Sequence, residues 1–303
     1  MAEFKFGFEE AWFRLIIKKL PDNPDLFFPK AVEKAQSILR IGKLKVGAAR
    51  AWAEAAGLVR KKKKAFLLTP LGQIIAHHDP DLEENGIWWA FHYNLARPTS
   101  SAWFYSFYFN EFLPDTFSRD DLERALRVYW DKSHDKPMTD SVFHKLVFSP
   151  LKQVFEGTRL GEEFGFWMTN EEGNYLRKKE DIPPLPKAIL AYALLDWAGK
   201  EQRQSVHLEK LLEPGGVGKI FRLERDDLDN LLIDIGEQYQ KRVGWISHTA
   251  GLNSVSIMDC PALALISAYY YELDGKDPLT ALNLGKEQVE GIIGQENISL
   301  SSK

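Results

Sequence analysis

Residues 39–72 constrain the fold more than any other part of the chain; they read LRIGKLKVGAARAWAEAAGLVRKKKKAFLLTPLG. The alanine-rich stretch at 43–56 spaces its apolar residues as a helix does and is followed by Gly57, a common helix terminator. Five consecutive cations, Arg60 to Lys64, then separate two short apolar runs that are typical of a β-hairpin.

Two further helical patterns precede this segment. The first covers 11–20 and is closed by the turn sequence PDNPD; the second covers 28–41, with Pro29 at its start. After the hairpin, Thr69-Pro70 begins a fourth helix. Three helices followed by a two-stranded hairpin predict a winged helix-turn-helix domain at 1–80.

The third predicted helix has distinct faces at about 100° per residue. Two apolar surfaces are expected to pack on neighbouring elements. One contains Val46, Ala49, Ala53 and Ala56, and the other contains Leu44, Ala48, Ala51 and Ala55. The polar stripe that is left contains Lys43, Gly47, Arg50 and Glu54. In a winged helix this stripe faces the DNA major groove. In mid-helix, glycine lowers helix stability by about 1 kcal/mol relative to alanine. A close approach to a phosphate or to another backbone would explain why Gly47 is present there.

Charge is strongly segregated along the chain. Between residues 30 and 64, eleven Lys or Arg face only two Glu, so this basic segment has a net charge of +9 in a chain whose total is −4. The other residues therefore carry about −13. Lysines make sequence-independent phosphate contacts whose affinity falls with salt. A plainer interpretation is a solvated turn that keeps the edge strands from aggregating.

The predicted binding partner is double-stranded DNA. The predicted contacts are Lys43, Lys45, Gly47, Arg50, Arg60, Lys61, Lys62, Lys63 and Lys64. We expect Lys43 and Arg50 at the groove with Lys45 at its edge, while the hairpin cations hold the flanking phosphates.

The sequence after residue 80 predicts two more domains. Residues 81–182 form an aromatic-rich helical middle domain with a second winged-helix-like hairpin, and the proline-rich joint DIPPLPK begins a third, winged-helix-like domain at 183–290. Its helix at 225–239 is acidic, which predicts protein docking or dimerisation rather than phosphate binding. Residues 291–303 are expected to be a flexible tail. The predicted fold class is mainly α with short β-hairpins, in tandem winged helix-turn-helix-like units.

Several chemical classes are disfavoured. No apolar run reaches the roughly 18 residues of a membrane span, and the first residues lack signal-peptide features, so a cytoplasmic location is expected. A single cysteine, Cys260, excludes an internal disulfide. We expect no cofactor, metal or catalytic residue. Carboxylates that are dispersed along the sequence could still form an active site, so an enzymatic function stays an alternative.

Three motifs resemble functional sites. The run HHDPDLEE has metal-ligand residue types, but its acids suit helix capping. EPGGVGKIF lacks the residues of a phosphate loop, so we expect a glycine-rich turn leading into a strand, KIFRL. The aromatics from Trp88 to Phe117 have helical spacing that favours core packing over base stacking, and we expect His92 to be buried and hydrogen-bonded.

Four motifs, taken together, resemble a bacterial family catalogued as domain of unknown function number four thousand and seven. They are FGFEEAWFRLIIKKL, LRIGKLKVGAARAWAEAAGLV, LTPLGQIIAHHDPDLEENGIWWAFHYNL and WFYSFYFNEF. GGVGKIFRL and HTAGLNSVSI are also similar to it. Where the family pattern has GVGKNMV, this chain has Leu44 and Lys45 at the asparagine and methionine positions, so a base contact from that asparagine would be absent.

The resemblance implies a place in bacterial defence islands, near sulfurtransferases and DNA phosphorothioation genes. By that resemblance the protein would be the DNA-binding, non-catalytic subunit of a modification or restriction system. Its expected partners are a sulfurtransferase or other modification-system proteins, and a second copy in a homodimer. Two alternatives stay open: an adaptor that does not bind DNA, and a metal-dependent nuclease that uses Asp79, Asp81 and Glu83.

Overall fold

The computed structural model describes residues 4–133, 138–177, 181–248 and 253–283. These residues are mainly helical with three small antiparallel sheets, which confirms the predicted class at that level. The chain divides into two compact units, an N-terminal unit at 1–184 and a C-terminal unit at 185–303. The predicted boundaries at 80 and 182 and the tandem winged-helix arrangement stay predictions, and the predicted tail at 291–303 lies outside the described residues.

Residues 10–78, which contain the basic segment, fold into helices and one hairpin, as their pattern predicts. The elements are α1 (Glu10–Lys19), α2 (Val32–Leu39), α3 (Lys43–Ala55), β1 (Val59–Lys62), β2 (Ala65–Leu68) and α4 (Pro70–His78). Three residues join α2 to α3, and the first of them, Arg40, has a φ of +55°. Strands β1 and β2 are antiparallel, with Lys62 opposite Ala65.

Buried polar contacts hold α3 in place. In mid-helix, Trp52 Nε1 donates to the carbonyl of Phe6 at 2.7 Å. At the end of the helix, Asn94 Nδ2 donates to the carbonyl of Ala56 at 3.2 Å. Gly57 then turns the chain into β1 with a φ of +79°, a conformation that favours glycine. The basic surface is therefore mounted on a well-fixed helix.

An aromatic core fills the rest of the N-terminal unit. Its elements are α5 (Asn85–Ala96), α6 (Trp103–Asn110), β3 (Thr116–Phe117), α7 (Arg119–Ser133), α8 (Asp140–Phe143), α9 (Ser149–Gly157), β4 (Met168–Thr169) and β5 (Tyr175–Leu176). A π-helical turn, His144–Phe148, joins α8 to α9. The sequence pattern predicts a hairpin at 163–179; β4 and β5 pair within it, and residues 178–179 lie outside the described residues. Strand β3 pairs with the other edge of β5, giving the order β3-β5-β4.

The C-terminal unit repeats the combination of helices with a small sheet. Its elements are α10 (Lys187–Glu201), β6 (Ser205–His207), α11 (Leu208–Leu212), α12 (Val217–Ile220), α13 (Arg225–Gln238), β7 (Gly244–Ser247), β8 (Ser254–Ile257) and α14 (Ala262–Leu273), followed by helical residues at 278–283. The sheet order is β6-β8-β7. The sequence pattern also predicts a turn at TAGL, 249–252, between two strands, and these four residues lie outside the described residues. Within the described ranges, every helix is too short or too polar to cross a membrane.

The predicted strand KIFRL is wrong, because α12 occupies its first residues. The glycine-rich turn before it serves packing. A Cβ added at Gly216 would lie 2.4 Å from the carbonyl oxygen of Leu211, closer than real contacts allow. The glycines are needed for this tight approach between α11 and α12.

Candidate nucleic-acid interface

Helix α3 buries one face and presents another to solvent. The predicted core face is confirmed, since Val46, Ala49, Ala53 and Ala56 are all buried. The outward face consists of Lys43, Leu44, Gly47, Arg50 and Glu54, all exposed or half-buried. The prediction that Leu44 packs on a neighbouring element is wrong: its exposed fraction is 72%. In the first turn of the helix, the outward direction reaches Leu44 as well as Lys43.

Gly47 lies in the middle of this outward face and has open space above it. A Cβ added there would meet no heavy atom of the described chain within 4 Å. The close approach that would justify a mid-helix glycine is therefore not made by the described part of the chain itself. An external partner that comes near the α3 backbone would account for it.

Lys45 lies away from the outward face. Its Nζ is 3.0 Å from Glu9 Oε1 and 5.4 Å from the centroid of the Trp12 ring. The Lys45 charge is therefore balanced by α1 and its flanking residue, and the structure does not bring Lys45 together with Lys43.

Arg50 connects the outward face of α3 to the hairpin. Its Nε is 3.9 Å from Glu54 Oε2, and its guanidinium carbon is 5.8 Å from the centroid of Phe66 on β2. These contacts hold the half-buried arginine between the helix and the strand, so that α3 and the hairpin form one surface.

The basic hairpin, residues 59–68, carries its cations on both faces and at its tip. Arg60 and Lys62 are half-buried and alternate with the exposed Lys61, whose Nζ is 5.6 Å from the centroid of Phe28. The tip consists of Lys63 and Lys64, both exposed. Lys63 has a φ of +52°, which costs a non-glycine residue roughly 1 kcal/mol.

Four exposed lysines of this surface lie apart from carboxylates. Across the described ranges, no carboxylate lies within 4 Å of the Nζ of Lys43, Lys61, Lys63 or Lys64. The nearby Lys34 is paired, with its Nζ 2.7 Å from Asp25 Oδ1, and this hydrogen bond lowers the pKa of Asp25. The exposed cations of α3 and the hairpin therefore keep their positive potential.

Arg40 belongs to the basic segment but is absent from the predicted contacts. Arg40 is exposed in the turn before α3 and holds a left-handed conformation. Its position directly after the apolar pattern of α2 and two residues before Gly42 is a sequence signal for an exposed turn residue. Arg40 adds a cation at the amino end of α3.

The carboxylates of the HHDPDLEE run have structural roles. Asp79 is only 6% exposed, and its carboxylate accepts hydrogen bonds from the backbone N–H groups of Glu83 at 2.8 Å and Glu84 at 3.1 Å. These bonds brace the turn before α5, whose N-cap is Glu84 and carries no side-chain cap hydrogen bond, so the prediction that Asp79 or Asp81 caps this helix is wrong. Asp81 forms an ion pair with Lys18. In the described part of the chain, no group of three or more His, Cys, Asp or Glu side chains is arranged to hold a metal ion.

The aromatic segment is core, as predicted. Trp88, Phe91 and Phe104 are at most 1% exposed, so base stacking is excluded for these rings. His92 is fully buried, with Nδ1 3.1 Å from the hydroxyl of Tyr105, which confirms the predicted buried, hydrogen-bonded histidine.

These features define a mainly helical protein with small antiparallel sheets and one basic helix–hairpin surface. The chain belongs to the family described as "Protein of unknown function (DUF4007)", whose model matches residues 5–150 and 162–270. This confirms the family predicted from the sequence motifs. No curated protein matches the chain.

Two solved structures have the same fold. One, described as a magnesium ion-bound SspB crystal structure, is 22% identical, has a TM-score of 0.73, and is matched over 97% of this chain and 96% of that chain. The other, described as an SspB crystal structure, is 24% identical with a TM-score of 0.72, over 89% of this chain and 87% of that chain. At these identities the likeness concerns the fold.

Proposed function

We propose that this protein binds double-stranded DNA through the outward face of α3 and the basic hairpin. The observation that carries the proposal is the cluster of unneutralised cations, Lys43, Lys61, Lys63 and Lys64, on one helix and the hairpin that contacts it. Such a cluster attracts phosphates and releases their counterions.

The local geometry supports a winged-helix mode of binding. A three-residue turn containing Gly42 joins α2 to α3, as in helix-turn-helix motifs. Helix α3 enters the major groove, and the hairpin lies over an adjacent phosphate backbone. The strained Lys63 also supports the proposal: glycine would be more stable at this φ, whereas lysine supplies a cation.

The biological role that fits best is the DNA-binding, non-catalytic subunit of a bacterial phosphorothioation-type defence system, in the cytoplasm. This role follows from the family resemblance, and the shared fold with SspB structures is in keeping with it. A sulfurtransferase or another modification-system protein is the proposed protein partner, and the acidic C-terminal unit is proposed to dock it or a second copy of the chain.

The test is a salt series. Fluorescence anisotropy with a labelled duplex compares the wild type, Lys61–Lys64 changed to Ala, and a control in which Lys200, Lys210, Lys241 and Lys276, all exposed in the C-terminal unit, become Ala. We expect only the hairpin variant to lose affinity. Its slope of log K against log salt should flatten by about 0.9 for each lost phosphate contact.

Two results would overturn the proposal. If the hairpin variant binds as the wild type does, the hairpin has no part in DNA binding. If the wild type binds no duplex at low salt but captures a modification-system protein, the chain is an adaptor.

A second candidate function is metal-dependent DNA cleavage, because one similar structure is described as magnesium-bound. It would draw on Asp79, Asp81 and Glu83. The Asp79 carboxylate is buried and already accepts two backbone hydrogen bonds, which disfavours it as a ligand. Magnesium-dependent plasmid nicking that Asp81→Asn or Asp79→Asn abolishes, with the melting temperature retained, would establish this candidate in place of ours.

A further inference from the structure

The outward face of α3 carries one large apolar side chain. Leu44 is 72% exposed, more than any other large hydrophobic residue in the described ranges. It lies in the first turn of α3, beside Lys43. When a recognition helix enters the major groove, its amino-terminal residues contact the base edges.

The neighbouring positions along the helix place no exposed side chain over Leu44. One turn further on, Gly47 has no side chain and nothing within 4 Å of an added Cβ. The next residue on that side, Ala48, is buried. Leu44 therefore projects beside an open strip of helix backbone, where a base edge can approach without displacing another side chain.

The chemistry of the major groove limits what a leucine can recognise. A leucine side chain neither donates nor accepts hydrogen bonds. The apolar group that the groove presents is the C5 methyl of thymine, while the other base-edge groups there are donors and acceptors. Cytosine methylated at C5 carries the same group at the same place.

We propose that Leu44 recognises the C5 methyl group of pyrimidines, so that the site prefers duplex DNA rich in such methyls. This inference rests on the proposed function. Burial of one methyl-sized group corresponds to about a fourfold change in affinity, so each methyl contacted should contribute a preference of that order.

The experiment uses alternating duplexes, in which any binding register meets the same bases. The affinity of the full chain is measured for adenine–thymine against adenine–uracil duplexes, and for guanine–5-methylcytosine against guanine–cytosine duplexes. We expect the wild type to prefer the methylated member of each pair by about fourfold. Leu44→Ala should bring both ratios close to one, and Leu44→Met, which keeps an apolar side chain, should retain them.

The outcomes separate this inference from the proposed function. Tight wild-type binding with equal affinity for both members of each pair would overturn the inference alone. Leu44→Ala that weakens binding to methylated and unmethylated duplexes equally would also overturn it. Absence of any duplex binding would overturn the proposed function itself. Because Leu44 is exposed, Leu44→Ala is expected to keep the wild-type melting temperature, which circular dichroism checks.

Discussion

Helices α3 and α13 differ in charge although each precedes a hairpin in its own unit. Helix α3 presents Lys43 and Arg50 beside the lysine-rich hairpin. The exposed face of α13 carries Asp226, Asp227 and Asp234 around the partly exposed Ile233. A similar order of elements therefore presents surfaces of opposite charge, and the class of partner depends on the exposed side chains rather than on the fold.

The basic surface and the exposed face of α13 each contain paired and unpaired charges. On α13, Asp234 Oδ2 is 3.6 Å from Lys187 Nζ, whereas Asp226 and Asp227 form no ion pair among the described residues. At the basic hairpin, Lys63 and Lys64 have no carboxylate within 4 Å among the described residues. Each surface therefore keeps uncompensated charge of one sign, positive at the hairpin and negative on α13, and only the hairpin attracts phosphates.

The largest effect is expected when the tip of the basic hairpin is made as acidic as α13. Lys63→Glu with Lys64→Glu should lower the affinity for duplex DNA on the order of tenfold or more at low salt, because phosphate attraction becomes repulsion. The equivalent change of Lys200 and Lys210 to Glu in the C-terminal unit is the control. Anisotropy titrations that show equal losses for both variants would mean that only net charge matters.

A smaller, more local effect is expected at Gly47. Gly47→Leu should raise the free energy of unfolding by up to about 1 kcal/mol, because leucine is the better helix former and meets open space. It should also weaken duplex binding several-fold by blocking the approach to the α3 backbone. The readouts are urea unfolding and anisotropy.

Gly199→Leu is the matched control, since Gly199 is an exposed glycine of α10 with equally open surroundings. It should stabilise the chain without changing DNA affinity. Unchanged DNA affinity in Gly47→Leu would show that nothing approaches that part of α3.

Lys63→Gly separates the strain of the hairpin tip from its charge. Glycine relieves the left-handed backbone at φ +52°, so the free energy of unfolding should rise by roughly 1 kcal/mol. Loss of one cation should lower the affinity for DNA only about threefold. A destabilised variant in urea unfolding would contradict the backbone argument.

The smallest effect concerns the C-terminal unit alone. Burial raises the pKa of the Glu272 carboxyl above its ordinary value, although Tyr239 and Gln238 donate hydrogen bonds to its Oε1 at 2.5 and 2.7 Å. The folded chain therefore holds this proton more tightly than the unfolded chain does. The stability that the protonated carboxyl contributes is fully present below the pKa of an unfolded glutamate and is lost as the pH rises through the higher pKa of the folded chain.

Glu272→Gln should flatten the fall in the free energy of unfolding with rising pH, while leaving the affinity for duplex DNA unchanged. The measurement is the urea unfolding midpoint of the wild type and of the variant at several acidic pH values. Parallel curves for the two proteins would show that another group is responsible.

Sequence patterns predicted local features well. The helices of the basic segment, its hairpin and its charge segregation are all encoded by adjacent residues, so periodicity and turn residues suffice to predict them. Strands β3 and β6 were missed because they are two and three residues long and pair with partners distant in sequence. The exposure of Leu44 depends on which elements cover α3, and helical periodicity alone does not determine that.

Hydrogen–deuterium exchange of the full chain, with and without a duplex at low salt, tests the central claim most directly. We expect DNA to slow exchange in the turn at 40–42, the first turns of α3 and the hairpin tip, and to leave α13 unchanged. Protection of α13 without protection of α3 and the hairpin, or no protection anywhere at a DNA concentration that saturates binding, would contradict the assignment of DNA binding to the basic surface.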